Sequence, residues 1–123
     1  MISIVIPAYN EERALPATLR QLFEQAGSYE VIVVDGGSHD RTREIVRRWP
    51  VNSRLPAPLT LLTAPKGRAS QMNTGAKLAS GEWLLFLHAD TLLPVDALNR
   101  LQALDSNSAV QAGGFQHRFS GSD

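Results

Sequence analysis

Short apolar runs alternate along this chain with longer stretches in which apolar residues recur at helical spacing. Ile2 to Ile6 is almost wholly apolar and β-branched, and Pro7 closes it. Tyr29 to Val34, Leu59 to Thr63 and Trp83 to Leu87 are three more such runs. Continuous apolar runs of this length predict strands buried on both faces, whereas a strand with one wet face would alternate. Trp83 to Leu87 is therefore expected to be a buried central strand. Between the runs, Leu15, Leu19, Leu22, Phe23 and Ala26 share one helical face, with Pro16 tolerable in a first turn and Gly27 as a stop. Ile45, Val46 and Trp49 predict a second helix ending at Pro50. Ala69, Met72, Ala76, Leu78 and Ala79 predict a third ending at Gly81. Val95, Leu98, Leu101 and Leu104 predict a fourth, opened by Pro94. Residues 50–58 read as a loop, and 109–119 as a further extended segment.

This β-α-β-α-β-α-β-α-β order predicts one three-layer α/β/α domain with a mainly parallel sheet and helices on both faces. In a parallel sheet every strand's carboxyl end lies on one edge, where open α/β sheets bind ligands. That edge would carry Ala8-Tyr9-Asn10-Glu11, Asp35-Gly36-Gly37-Ser38, Lys66-Gly67-Arg68 and His88-Ala89-Asp90. An aromatic ring, carboxylates, cations and glycines on one rim suit a nucleoside diphosphate. The ring stacks on a base, a carboxylate accepts from a base N–H, and cations with a divalent ion neutralise the phosphates.

Each residue also has a structural explanation. Tyr9 could cover the sheet end. Asp35 could close its own turn, and Asp40 suits a helix N-cap better than a ligand role. Arg68 could be solvated, although a cation at a helix start opposes the helix dipole and a phosphate would supply a reason for it. Lys66 reads as solvated. Asp90 could cap the next helix, as could Thr91. His88 suits a metal ligand, a phosphate donor or a satisfied polar residue at a strand end. His39 and His117 read as surface residues.

Composition narrows the class. The chain has 123 residues, 43% hydrophobic and 20% charged, enough for one domain with a real core. Formal net charge is zero, which gives no argument for nucleic acid. There are no cysteines, so disulfides and thiolate metal sites are excluded. No apolar run reaches the ~18 residues of a membrane span, and the first residues lack a basic stretch and a cleavage site, so a cytoplasmic location is expected. No G-x-G-x-x-G follows the first strand, which argues against a dinucleotide dehydrogenase. The same loop lacks the Gly-rich, basic phosphate loop of a sugar-nucleotidyltransferase and the acidic pair of a receiver-like domain.

Four blocks resemble family 2 glycosyltransferases, the inverting nucleotide-sugar enzymes of the GT-A fold. They are Ile4-Val5-Ile6-Pro7-Ala8-Tyr9-Asn10-Glu11, then Val33-Val34-Asp35-Gly36-Gly37-Ser38-His39-Asp40-Arg41-Thr42, then Gly67-Arg68-Ala69 through Gln71, Asn73 and Gly75-Ala76, and Phe86-Leu87-His88-Ala89-Asp90 at the D-x-D position. Their order is the family's, and the variants Arg68-Gln71-Met72-Asn73 and His88-Ala89-Asp90-Thr91 look like a bacterial subgroup. The resemblance implies that Pro7, Ala8, Tyr9 and Glu11 line a nucleoside pocket, that Asp35 contacts the base and that Arg68 reaches the diphosphate or orders the pocket. It implies Mn²⁺ or Mg²⁺ on Asp90, with His88 a weaker ligand because it replaces the first acid of D-x-D. At about 4 Å and an effective dielectric of about 20, each unit-charge pair at such a site is worth about 4 kcal/mol before desolvation.

The resemblance also implies an acceptor half with a catalytic Asp or Glu base, expected beyond residue 123; neither Asp105 nor Asp123 matches that motif. The 1–123 segment is thus expected to be the nucleotide-sugar-binding domain of a transferase whose acceptor, lipid-linked or otherwise, is undefined. It would lie in the cytoplasm or at the membrane periphery. A non-catalytic module that holds a nucleotide or a partner is the alternative. An uncovered edge near 109–119 would favour self-association.

Overall fold

In the computed structural model, which describes residues 1–49 and 55–105, eight elements follow in strict alternation. They are β1 (Ile2–Ala8), α1 (Leu15–Leu22), β2 (Tyr29–Asp35), α2 (Thr42–Arg48), β3 (Leu59–Thr63), α3 (Arg68–Leu78), β4 (Trp83–Phe86) and α4 (Ala97–Asp105). The strands form one sheet in the order β3-β2-β1-β4, and every pairing is parallel. The expected three-layer architecture is therefore present. The segment 109–119, Pro50 and His117 lie outside the described residues, and with them the self-association expected through that edge.

Alternation along the central strands sorts the core into two faces. Ile2, Ile4, Ile6, Val31, Val33 and Leu85 point to one side, where Leu15, Leu19 and Leu22 of α1, Val46 of α2 and Leu98 of α4 cover them. Val5, Ile32 and Val34 point to the other, against α3 and the half-buried Leu62, Leu84 and Phe86. Successive side chains on a strand face opposite ways, so β1 and β2 need apolar residues at almost every position.

Trp83 to Leu87 departs from expectation. The run forms a four-residue strand paired with β1 alone among the described residues, and Trp83, Leu84 and Phe86 are only half-buried. β1 and β2 are the buried central strands, because each has strand neighbours on both sides. An apolar run marks burial without saying on how many sides a strand is paired.

The helix faces also need correction. α1 stops at Leu22, leaving Ala26 exposed, and Gly27 takes its positive φ of 119° five residues later. In α3 the apolar set Ala69, Met72, Ala76 and Leu78 is not the buried face; Ala69 and Leu78 are exposed, while Gln71 and Gly75 are buried. Gly75 lets α3 lie against the sheet, since a Cβ there would come within 2.4 Å of a Val5 methyl. Before α4, Val95 is 79% exposed, and Ala97, Leu98 and Leu101 make the contact instead.

Topology places the site. The chain runs outward from β1 through β2 to β3, and α3 then carries it back over the sheet to β4 on the far side of β1. The strand order reverses between β1 and β4, and a crevice opens at such a switch point outside the strands' carboxyl ends. Register keeps the loops level, since Ala8 pairs with Asp35 and Asp35 with Thr63.

Candidate functional site

A cleft of about 210 Å³ occupies that crevice, lined by residues after β1 (Pro7, Ala8, Tyr9, Glu11), after β3 (Lys66, Gly67, Arg68, with Gln71 behind) and after β4 (His88, Ala89). Three of the four expected loops therefore meet in one cavity. The fourth, after β2, supports it from behind.

That support is the work of the Asp35-Gly-Gly-Ser-His-Asp-Arg-Thr42 segment. The Ser38 hydroxyl donates to Asp35 at 2.5 Å and accepts the Asn10 backbone N–H at 2.8 Å. The Thr42 hydroxyl donates to Asp40 at 2.5 Å and accepts the Glu11 N–H at 2.8 Å. Each relay runs carboxylate, hydroxyl, backbone amide, and each ends on the loop after β1. Asn10 closes the circuit by accepting the His39 N–H at 2.8 Å, and its φ of 53° turns the loop sharply. A loop leaving a sheet has no ladder to satisfy its amides, so side chains must do it.

Asp35 is 0% exposed, and its other oxygen accepts the Gly37 and Ser38 amides, both at 2.9 Å, with Arg43 at 3.7 Å. It closes its own turn and does not open onto the cleft. The N-cap of α2 is Arg41, not Asp40 as expected; Asp40, one residue earlier, accepts the Thr42 N–H at 2.9 Å and the Glu12 amide at 3.2 Å. Partial desolvation pushes the Asp40 carboxyl upward, but hydrogen bonds from Thr42 and Glu12 outweigh it and hold the group below its ordinary value.

Gln71 was legible only as part of a motif, yet it ties three segments together. Its amide donates to the Ala8 carbonyl at 2.9 Å and the Val34 carbonyl at 2.8 Å, and its oxygen accepts the Gly67 N–H at 3.1 Å. It is 4% exposed and has both polar atoms satisfied. A buried polar residue on an otherwise unpatterned helix was the available signal.

Lys66, expected to be merely solvated, places its ammonium 4.1 Å from the Tyr9 ring centroid, and His39 meets the same ring edge-on at 6.5 Å. Arg68 stands on the other wall, its two terminal nitrogens 3.4 Å and 3.2 Å from the two ring nitrogens of His88. Glu11 is the carboxylate lining the cleft. Burial raises its pKa, the charges of Asp90 and Asp40 raise it further, and His88 offsets part of this.

The metal expectation fares unevenly. Among the described residues no group of three or more His, Cys, Asp or Glu side chains is disposed to hold an ion. Asp90 is exposed and close enough to repel Glu11, whereas His88 faces Arg68. The fit is to an ion that draws most of its ligands from phosphate oxygens and water, with one or two carboxylates from the protein.

This cleft at the β1/β4 switch point is the setting in which comparison with known proteins becomes informative. The chain matches the model of glycosyl transferase family 2 over residues 3–123 and belongs to that family. It is 40% identical over 107 residues to a PGL/p-HBAD biosynthesis glycosyltransferase of Mycobacterium bovis (strain BCG / Pasteur 1173P2), covering 84% of this chain and 41% of that protein. It is 33% identical over 105 residues to an undecaprenyl-phosphate 4-deoxy-4-formamido-L-arabinose transferase of Aeromonas hydrophila, covering 82% and 32%. The chain thus spans about two-fifths or less of these relatives.

Among solved structures, S. aureus TarS 1–349 in complex with UDP superposes with a TM-score of 0.74 at 27% identity, over 85% of this chain and 32% of that one. The mannosyltransferase PcManGT from Pyrobaculum calidifontis, in complex with GDP-Man and Mn²⁺, superposes with a TM-score of 0.71 at 34% identity, over 77% and 29%. The fold is of the GT-A type. None of the described helices is long and apolar enough to cross a membrane.

Proposed function

We propose that this chain forms the nucleotide-sugar-binding part of an inverting glycosyltransferase that takes its sugar from a nucleoside diphosphate donor. The observation that carries this is the convergence of Tyr9, Lys66, Arg68, His88 and Glu11 on one cleft at the switch point. An aromatic ring at one end suits a base, and cationic donors along the wall suit a diphosphate.

Each residue has a part. Pro7, Ala8 and Tyr9 form the nucleoside side of the cleft. Asp35 sets the floor beneath the base by fixing the 36–38 turn, and a direct base contact would require that turn to open. Arg68 donates to the diphosphate. A divalent ion, Mn²⁺ or Mg²⁺, would be held by Asp90 and the diphosphate oxygens, and would neutralise charge on the leaving group. Such an ion would also relieve the repulsion between Asp90 and Glu11. The acceptor hydroxyl needs a base for inverting transfer, and no residue in this cleft is assigned that role. A lipid-linked acceptor is consistent with the undecaprenyl-phosphate transferases among the relatives.

The test is ligand-dependent melting of the chain with UDP, GDP and their sugar conjugates in the presence of Mn²⁺. A nucleotide at about 100 times its Kd stabilises the folded state by about 2.7 kcal/mol. Stabilisation by a diphosphate and not by the matching nucleoside supports the proposal. Equal melting curves with every nucleotide would refute it.

A further inference from the structure

The Lys66 ammonium sits 4.1 Å from the centroid of the Tyr9 ring. Both residues line the cleft, whereas His39, the other neighbour of that ring, does not. The ammonium therefore meets the ring from the cleft side, where a base would stack. A cation over an aromatic face is attracted by the ring quadrupole. None of the ion pairs among the described residues includes Lys66, so no carboxylate competes with the ring for it there.

The backbone on both sides of this contact is held. Next to Tyr9, the Asn10 N–H is bound by Ser38 at 2.8 Å. Next to Lys66, the Gly67 N–H is bound by Gln71 at 3.1 Å, and Gln71 is tied in turn to the Ala8 and Val34 carbonyls. Gly67 has a φ of 147°, a conformation that suits glycine, and it turns the chain between Lys66 and Arg68. What can leave the ring is the exposed Lys66 side chain, a flexible stem whose ammonium only donates.

We infer that Lys66 discriminates between nucleosides and nucleoside diphosphates at this site. It covers the Tyr9 face while the cleft is empty and must leave before a base can stack. A bare nucleoside offers the displaced ammonium no anion, so its binding bears the full cost of the displacement. A diphosphate offers phosphate oxygens in the same cleft, and the ammonium moves from the ring to them. The exchange gives up a cation–π contact for a charge-assisted hydrogen bond, the stronger of the two. The inference rests on the nucleotide-site reading given above and adds to it the residue that makes the site count phosphates.

NMR titration of the full chain in Mg²⁺ with UDP and uridine, and with GDP and guanosine, tests it on wild type, Lys66→Ala and Lys66→Arg. In the free wild type the Lys66 ε-methylene, carried beside the Tyr9 ring with the ammonium, should be shifted upfield by the ring current, and saturating diphosphate should abolish that shift. Lys66→Ala uncovers the ring, so nucleoside binding should tighten by about two- to fivefold, the worth of an exposed cation–π contact. In the same variant the ratio of diphosphate to nucleoside affinity should fall by about tenfold, the worth of a charge-assisted hydrogen bond. A merely structural role would not strengthen one ligand while weakening the other. Lys66→Arg, which keeps the cation, should restore most of the ratio, and melting curves establish that each variant is folded. An unshifted ε-methylene in the free chain, or a folded Lys66→Ala with no gain in nucleoside binding or an unchanged ratio, overturns the role of Lys66 while leaving the nucleotide site standing. Absence of wild-type binding to both diphosphates overturns the nucleotide site, and the role of Lys66 falls with it.

Discussion

The hydroxyl of Ser38 accepts the backbone N–H of Asn10 at 2.8 Å, across 28 residues of chain. Because Ser38 is itself held by Asp35, the loop that carries Tyr9 is fixed by the turn after the neighbouring strand. Ser38→Ala would strip a buried partner from both Asp35 and Asn10. Asp35 is buried and Asn10 is exposed; a buried group left unsatisfied costs ~1–3 kcal/mol, so a loss of about 2 kcal/mol is expected, together with a weaker nucleotide response than the lower stability alone explains. Denaturant titration, with binding measured on the folded fraction, checks both.

The matching relay and the lining carboxylate respond to pH in opposite senses. Asp40 has a lowered pKa, so its contribution to stability is present above the unfolded value near 3.8 and lost as pH falls through the lower folded value. Glu11 has a raised pKa, so wild type is most favoured below about 4.5 and is penalised as pH rises through the higher folded value. At pH 7, Asp40→Asn should melt below wild type and Glu11→Gln at or above it. Both differences should shrink toward pH 3. Thermal melts across pH 3–8 read the signs directly, and a Glu11→Gln variant that melts clearly lower at pH 7 would count against the crowded-carboxylate description.

Much of this was legible in the sequence, for identifiable reasons. Ile2 to Ile6 and Tyr29 to Val34 announced buried parallel strands because both faces of each are covered, and the rim followed from topology alone. Sheet order was not legible: nothing in Trp83 to Leu87 says that this strand pairs with β1 and not with β3. The buried face of α3 was hidden because Gln71 and Gly75, four residues apart on one helical face, are not apolar. A hydrogen-bonding amide and a missing side chain do the packing there, and hydrophobic spacing detects neither. Lys66 is exposed, as expected, but its contact with Tyr9 was not legible, because that residue is 57 positions away and only the fold brings it near.

Those two helix residues yield a prediction about the cleft wall. Gln71→Leu removes the donors to Ala8 and Val34 and the acceptor for Gly67, and should destabilise by about 3 kcal/mol or more. Gly75→Ala forces a methyl into Val5 and should cost ~1–3 kcal/mol by overpacking. Urea unfolding measures both. A neutral Gly75→Ala would mean that α3 can lift from the sheet freely.

The most direct measurement is the location of the nucleotide itself, read from backbone amide shifts of isotope-labelled chain titrated with UDP and GDP. Changes concentrated in residues 7–12, 66–71 and 88–91, which line the cleft, and in 36–39, which hold the loop after β1 from behind, are predicted. Changes centred instead on the separate groove of Arg41, Ile45, Arg48 and Trp49, or none at saturating nucleotide, would contradict the assignment of the site.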